Sequence, residues 1–339
     1  MAENEDLMKT MSEIMRSESK GGEFRVTERY FSNDEEHPSI GIANIHPVVP
    51  DIEANKAKML RSLEIFKEKG VNLAIFPEFC LSGYFWEDEE ECWRYMDQAV
   101  IENHTHWVND NLKPLIDNKL RSIVFNNIRK GTGRKYFNST YVVSAIHNFL
   151  EPQDRYDKIF LPNLERKYTE TGKDDRLVAK SRFGQIGFTT CYDILFSQLL
   201  LEYSKIDRVD VIIEIASWRA MSARDYPGMN VGTDTYYGRL WDMLLPATAA
   251  MNQIWVIACN TVGRHEITGA RFWGGSGLWA PSGLLLLQAS HVNEELLVIH
   301  NVDILGQRKV EADDFNYTLD FDSIYRPIHG KRAFTRIDD

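Results

Sequence analysis

The chain has 339 residues, 43% hydrophobic and 26% charged, an ordinary globular composition with room for one large α/β domain or two smaller ones. Its net charge of −11 and the lack of a basic run argue against a nucleic-acid partner or an anionic membrane surface. No run of about eighteen apolar residues exists, the acidic N-terminus has no signal-peptide core, and the four cysteines match no paired spacing, so a soluble chain in a reducing, cytoplasmic setting is expected, with no membrane partner.

Residues 1–37 are charged and rich in Ser and Glu, and read as an N-terminal extension: a partly disordered tail, or an arm packed on a neighbouring subunit. Leu7, Met8, Met11, Ile14 and Met15 recur at helical spacing and predict one short amphipathic helix there. The domain proper is expected over residues 38–339, with a tail from about Leu305 that shows no clear element. It opens with a strand at Ser39–Ile45. Asp51 can cap a helix running to about Lys69, with Met59, Leu60, Leu63 and Phe66 on one face and Gly70 at its stop. Val71–Phe76 is continuously apolar, as a central strand buried on both faces would be, and Pro77-Glu78 follows at once. Glu87–Glu91 reads as a solvated helix start, and a helical pattern covers Cys92 to Asn118. Strands are predicted at Ser122–Asn127 and Tyr136–Ala145. Leu150–Arg182 has little periodicity, and so long an irregular segment inside a compact domain is usually functional. Gly184–Thr190 is a strand ending at Cys191, and an amphipathic segment follows through Tyr203. Val209–Ala216, Ile254–Cys259 and Glu295–Val302 read as strands, Asp234–Asn252 as a helix, and Gly274–Gln288 as hairpin pieces and turns. Strands alternating with helices, then hairpins, imply a mixed sheet system covered by helices.

Glu78, Lys158 and Cys191 each stand at the end of an apolar strand or in the long segment beside one. Strand ends on one edge of a sheet converge in space. A carboxylate, an ammonium and a thiol together make a full acyl-transfer set. The carboxylate takes the thiol proton, the thiolate attacks a carbonyl or nitrile carbon, and the ammonium with the Tyr192 N–H stabilises the oxyanion. A cysteine at a strand-to-helix turn is expected to be exposed and near the positive end of a helix dipole, which favours thiolate. Taken singly, the three have plainer readings: a core thiol, a surface turn and a solvated lysine. The nine histidines form no signature around Cys191, and no cluster has metal-ligand spacing.

Phe76-Pro77-Glu78-Phe79 with Leu81-Ser82-Gly83-Tyr84, then Tyr156-Asp157-Lys158-Ile159-Phe160-Leu161-Pro162, then Cys191-Tyr192-Asp193 resemble, in that order, the three catalytic blocks of the nitrilase (carbon–nitrogen hydrolase) superfamily. Asn138-Ser139, Asn252-Gln253 and Phe272-Trp273-Gly274-Gly275-Ser276 are secondary matches, and the similarity spans residues 38 to 303. The resemblance implies a four-layer αββα sandwich, thiol hydrolysis of non-peptide C–N bonds, no cofactor, and a homodimer or higher homo-oligomer. It also implies a second glutamate after the lysine. Glu165 fits its spacing to Tyr168 and Gly172, with Glu170 as competitor. Tyr-Asp after the cysteine is similar to the amidase branch rather than to true nitrilases. The Arg-Phe-Pro-Glu run common after it is replaced by Leu195-Phe196-Ser197-Gln198, and Asp193-Ile194-Leu195-Phe196 is similar to the pantetheinase branch. The N-terminal extension resembles the β-ureidopropionase type. A small carboxamide is therefore the expected substrate. N-carbamoyl amino acids come next, then a nitrile, then a non-catalytic assembly or ligand-binding role. Tyr84, Tyr192, Trp218 and Arg219 are candidate pocket residues, with Trp86 and Trp273 behind them. Trp218 follows a strand end and reads equally as core. Arg219 either pairs a substrate carboxylate or is an ordinary surface cation.

Overall fold

The computed structural model describes residues 15–18 and 24–325, apart from 146–147, 174–175, 223, 227 and 229–230. The first half of the chain builds an eight-stranded sheet. It uses β1 (Met15–Glu18), β2 (Arg25–Tyr30), β3 (Ile40–Asn44), β4 (Leu73–Ile75), β5 (Ser122–Lys130), β6 (Tyr136–Val143) and β7 (Arg155–Asp157). Between these run helices α1 (Ile52–Glu68) and α2 (Glu89–Ala99). Helix α3 (Asn163–Tyr168) then leads to the second sheet. That sheet is six-stranded, in the order β17-β16-β13-β10-β9-β8, from β8 (Val178–Ser181), β9 (Gly184–Thr190), β10 (Val211–Ala216), β13 (Trp255–Asn260), β16 (Gly277–Trp279) and β17 (Leu285–Gln288). Helices α4 (Ser197–Leu201) and α5 (Tyr236–Asn252) lie along it. Two small ribbons stand apart, β11 (Arg224–Tyr226) with β12 (Val231–Thr233), and β14 (Val262–Arg264) with β15 (Arg271–Trp273). The chain finally returns to the first sheet as β18 (Glu295–His300), parallel to β2 and antiparallel to β3.

The layers follow from the side-chain period of two along each central strand. Ile40, Ile42 and Ile75 face Phe188, Ile213, Ile215 and Ile257 across the gap between the sheets. The alternate residues Ala43, Ala74 and Phe76 pack under Met59, Leu63 and Phe66 of α1. On the far side, Ala216, Val256 and Ala258 lie beneath Trp241, Leu245 and Ala249 of α5. The result is the expected αββα sandwich. Helix α1 starts where its cap was placed, with the Asp51 carboxylate accepting from the Ala54 N–H at 2.9 Å. No described helix is long and apolar enough to cross a membrane.

Two expectations need correcting, and a third falls almost wholly outside the described residues. Residues 25–30, inside the stretch read as an extension, form an interior strand paired to β1 on one side and to β18 on the other. Of the helix expected over Leu7–Met15, only Met15 is among the described residues, and it stands in β1. The stretch from Leu305 is helical: α6 (Ile304–Asp314) is capped by Asp303, whose carboxylate accepts from the Gly306 N–H at 2.8 Å. Its apolar face is weak, so periodicity gave no signal. Phe24 beside β2 is buried at 5% exposure in the same cluster as Leu296 and Val298. Phe24→Ala is therefore expected to cost about 3–5 kcal/mol in urea unfolding, where a free arm would lose less than about 0.5 kcal/mol.

Candidate active site

Three of the four candidate catalytic side chains stand just past the C-terminal end of a strand, and the fourth, Glu165, is carried by α3. Glu78 follows β4, Lys158 follows β7, Cys191 follows β9, and Ser217 follows β10. The first two come from one sheet and the last two from the other, so the site straddles the seam between them. Two residues there carry left-handed backbone, Phe79 (φ 52°) and Cys191 (φ 54°). Such a conformation costs a non-glycine residue roughly 1–3 kcal/mol and survives only where neighbours enforce it. At Cys191 the enforcement is visible. Asp193 accepts from the Thr190 N–H at 3.1 Å, from the Tyr156 hydroxyl at 2.7 Å and from the Phe160 N–H at 2.8 Å. One carboxylate thus ties the cysteine turn to both flanks of Lys158. At Phe79, the backbone N–H donates to the Asn126 side chain at 2.8 Å. Gly83 then needs positive φ (68°), and a Cβ there would sit 2.1 Å from a Val49 methyl.

The centre is a buried charge cluster. The Lys158 ammonium donates to Glu78 at 2.9 Å and to Glu165 at 2.7 Å, with all three side chains at 0% exposure. The Asn138 amide donates to Glu78 at 2.7 Å and to Glu165 at 3.1 Å, bridging the two carboxylates. The Ser217 N–H donates to the other Glu78 oxygen at 2.7 Å, and the Tyr84 hydroxyl to Glu165 at 2.9 Å. Glu165, on α3, is thus the one of the two candidate glutamates in contact with Lys158. Glu170 instead turns outward, accepting from the Thr132 N–H and pairing with Lys173 at 3.4 Å. Asn126, Asn138 and Asp193 were not singled out as site residues from the sequence. Their signal was there as polar side chains within or just after apolar strands.

A cavity of about 440 Å³ opens over Cys191. Tyr84, Tyr192, Trp218 and Arg219 all line it. Trp218 is also core: its ring is nearly buried and donates to the Tyr237 carbonyl at 2.7 Å. Trp86 and Trp273 do not line the cavity. Trp86 is buried beside Tyr95, and Trp273 donates to Asp242 at 3.0 Å.

Burial governs the electrostatics. It raises Glu78, with Lys158 opposing and Glu165 adding, to about 6. It opposes the Lys158 ammonium, but Glu165 and Glu78 outweigh it and hold the lysine well above its ordinary value. The Cys191 thiol is pushed well up by burial and then by the Glu78 charge. This corrects the expectation of an exposed, dipole-stabilised thiolate: Cys191 is buried, and it is the first residue of a 3-10 turn only five residues long. So short a turn aligns too few peptide dipoles to offset burial beside a carboxylate. Lys158→Met would leave two buried carboxylates with no cation. The variant is expected to lose about 3–5 kcal/mol of stability, measured by urea unfolding. The loss should be larger near about pH 8 than near about pH 5. Burial already holds Glu78 above its ordinary value with the cation present; without Lys158 it would bind its proton more tightly folded than unfolded, and such a group loses stability as pH rises.

Residues 39–307 match the family described as carbon-nitrogen hydrolase. The chloroplastic omega-amidase of Arabidopsis thaliana is 26% identical over 286 residues, 80% of this chain and 69% of that protein. Among solved structures, XC1258 from Xanthomonas campestris, a CN-hydrolase superfamily protein with an arsenic adduct in its active site, aligns with TM-score 0.67 at 18% identity, covering 88% of this chain and 99% of its own. A variant of the Nesterenkonia sp. AN1 amidase, solved with acrylamide added to its active-site cysteine, aligns with TM-score 0.62 at 18% identity over 82% and 99%. With the family matched over most of its length, this chain is a carbon–nitrogen hydrolase and a member of the nitrilase superfamily.

Proposed function

We propose that the chain is a thiol amidohydrolase that cleaves a small carboxamide through a thioester on Cys191. The observation that carries the reading is the buried Lys158 ammonium held by Glu78 and Glu165 beside a cysteine at the floor of a cavity. An ammonium has three donors. Two go to the carboxylates, and the third is left for a developing oxyanion, together with the Tyr192 N–H.

The steps follow from the charges. At neutral pH Cys191 is a thiol and Glu78 a carboxylate. The second Glu78 oxygen accepts from the N–H of Ser217, a residue that lines the cavity together with Cys191. It takes the thiol proton as sulfur bonds to the amide carbon. The tetrahedral oxyanion then collapses, the C–N bond breaks, and the amine leaves with the proton from Glu78. Water follows. Glu78 takes one of its protons, the hydroxide oxygen bonds to the thioester carbon, and the thiolate leaves and recovers the proton from Glu78. Glu165 stays out of proton transfer and keeps Lys158 charged and aimed. Among the described residues Cys191 Sγ has no hydrogen-bond partner, and such contacts commonly tighten only when substrate is bound. The omega-amidase relative and the amidase with a modified active-site cysteine support the same chemistry.

Mass-spectrometric product analysis on a panel of amides, N-carbamoyl amino acids, nitriles and a pantetheine-type amide tests this directly. Amide turnover is expected, falling about a thousandfold or more in Cys191→Ala and Glu78→Gln, and about 100- to 1000-fold in Lys158→Met. Turnover confined to N-carbamoyl compounds or nitriles would replace the substrate class. No turnover and no acyl adduct on Cys191 would refute a catalytic role. Because Glu78 must be ionised to act as base, kcat/KM is expected to rise with pH through a midpoint of about 6. A profile flat across that range would remove Glu78 from the role.

A further inference from the structure

The chain as a whole is strongly acidic, with 50 Asp and Glu against 39 Lys and Arg. The cavity over Cys191 reverses that balance. Its lining side chains include Arg166, Lys167 and Arg219, against Glu87 as the carboxylate. Glu87 is already paired with Lys167 at 2.7 Å. Two guanidiniums remain, and neither has a carboxylate partner among the described residues. Arg166 sits exposed on α3 and uses its Nε to donate to the Leu161 carbonyl at 2.8 Å. Arg219 is different. It is half-buried, and its guanidinium lies over the Tyr84 ring at 5.8 Å. Its backbone is anchored on both sides. The Trp218 N–H donates to Asn260 at 2.7 Å, the Ala220 N–H to the Arg271 carbonyl at 2.8 Å, and Arg219 itself bridges Phe272.

A half-buried cation without an anion is costly, and this sequence has carboxylates to spare. The Tyr84 face offers a cation–π contact worth only about 0.5–1 kcal/mol. What the site lacks is a planar acceptor for a five-donor fork. We propose that the substrate is an amide that itself carries a carboxylate, which Arg219 reads inside the cavity while Arg166 attracts the anion at the mouth. This rests on the amide-hydrolysis reading of Cys191 and names the class of amide it takes.

The test compares a small monoamide of a dicarboxylic acid with its methyl ester, in wild type and in Arg219→Gln, Arg219→Lys and Arg166→Gln. Wild type is expected to favour the carboxylate by about 10- to 100-fold in kcat/KM. Arg219→Gln should bring that ratio to within about threefold of one, and Arg219→Lys should retain part of it, because the charge stays while the fork is lost. Arg166→Gln should weaken the fall of kcat/KM with added salt for the anionic amide. If Arg219 only supports Tyr84, the glutamine variant lowers both substrates alike and the ratio stays put, which overturns the proposal. Turnover of both amides by wild type at a ratio near one also overturns it and leaves the amidase reading standing. If neither amide is hydrolysed, the amidase reading fails separately, and calorimetry on Cys191→Ala decides. Tighter binding of the carboxylate than of the ester, lost on adding Arg219→Gln, supports the proposal, and equal binding overturns it.

Discussion

The site depends on one buried cation. Lys158 at 0% exposure would be intolerable alone, and Glu78 and Glu165 would each be intolerable without it. Together they make a cluster carrying one excess negative charge. That excess is spread over neutral donors: the Asn138 amide, the Ser217 N–H and the Tyr84 hydroxyl. The arrangement can exist only where a strand end from the first sheet and the Ser217 turn of the second meet, so the seam between the sheets and the charge cluster are the same feature.

The same seam explains why Cys191 is held in strained backbone. Asp193 reaches from the cysteine turn to Tyr156 and Phe160, so the geometry of Cys191 and the position of Lys158 are set by one carboxylate. Phe160 and Phe196 stack with centroids 3.5 Å apart, adding an apolar clamp between the same two segments. This chain lacks the Arg-Phe-Pro-Glu run common in its relatives after the cysteine. The ring stack and the Asp193 contacts hold the two segments together without it.

Much of the architecture was legible in the residues. The apolar runs at Val71–Phe76 and Gly184–Thr190 became central strands because both of their faces are covered, one by the opposite sheet and one by helices. Asp51 and Gly70 marked the ends of α1 because cap chemistry is local. Short elements escaped: β7, α3 and β8 span three to six residues each, too few for a period to declare itself. The place of β2 also escaped, since its pairing partner β18 lies about 270 residues further along the chain, as the Glu28 contact with His300 shows.

The sequence by itself determined the strand and helix periods, the caps, and the three blocks that bring Glu78, Lys158 and Cys191 into one reading, because each is encoded in neighbouring residues. The tertiary structure decided the rest. It set Glu165 rather than Glu170 against Lys158, brought Ser217 to a carboxylate 139 residues away, made Cys191 a buried thiol, and left Arg219 lining the cavity with no carboxylate partner among the described residues. Those outcomes turn on burial and on pairing through space, and neither is written in any local run of side chains.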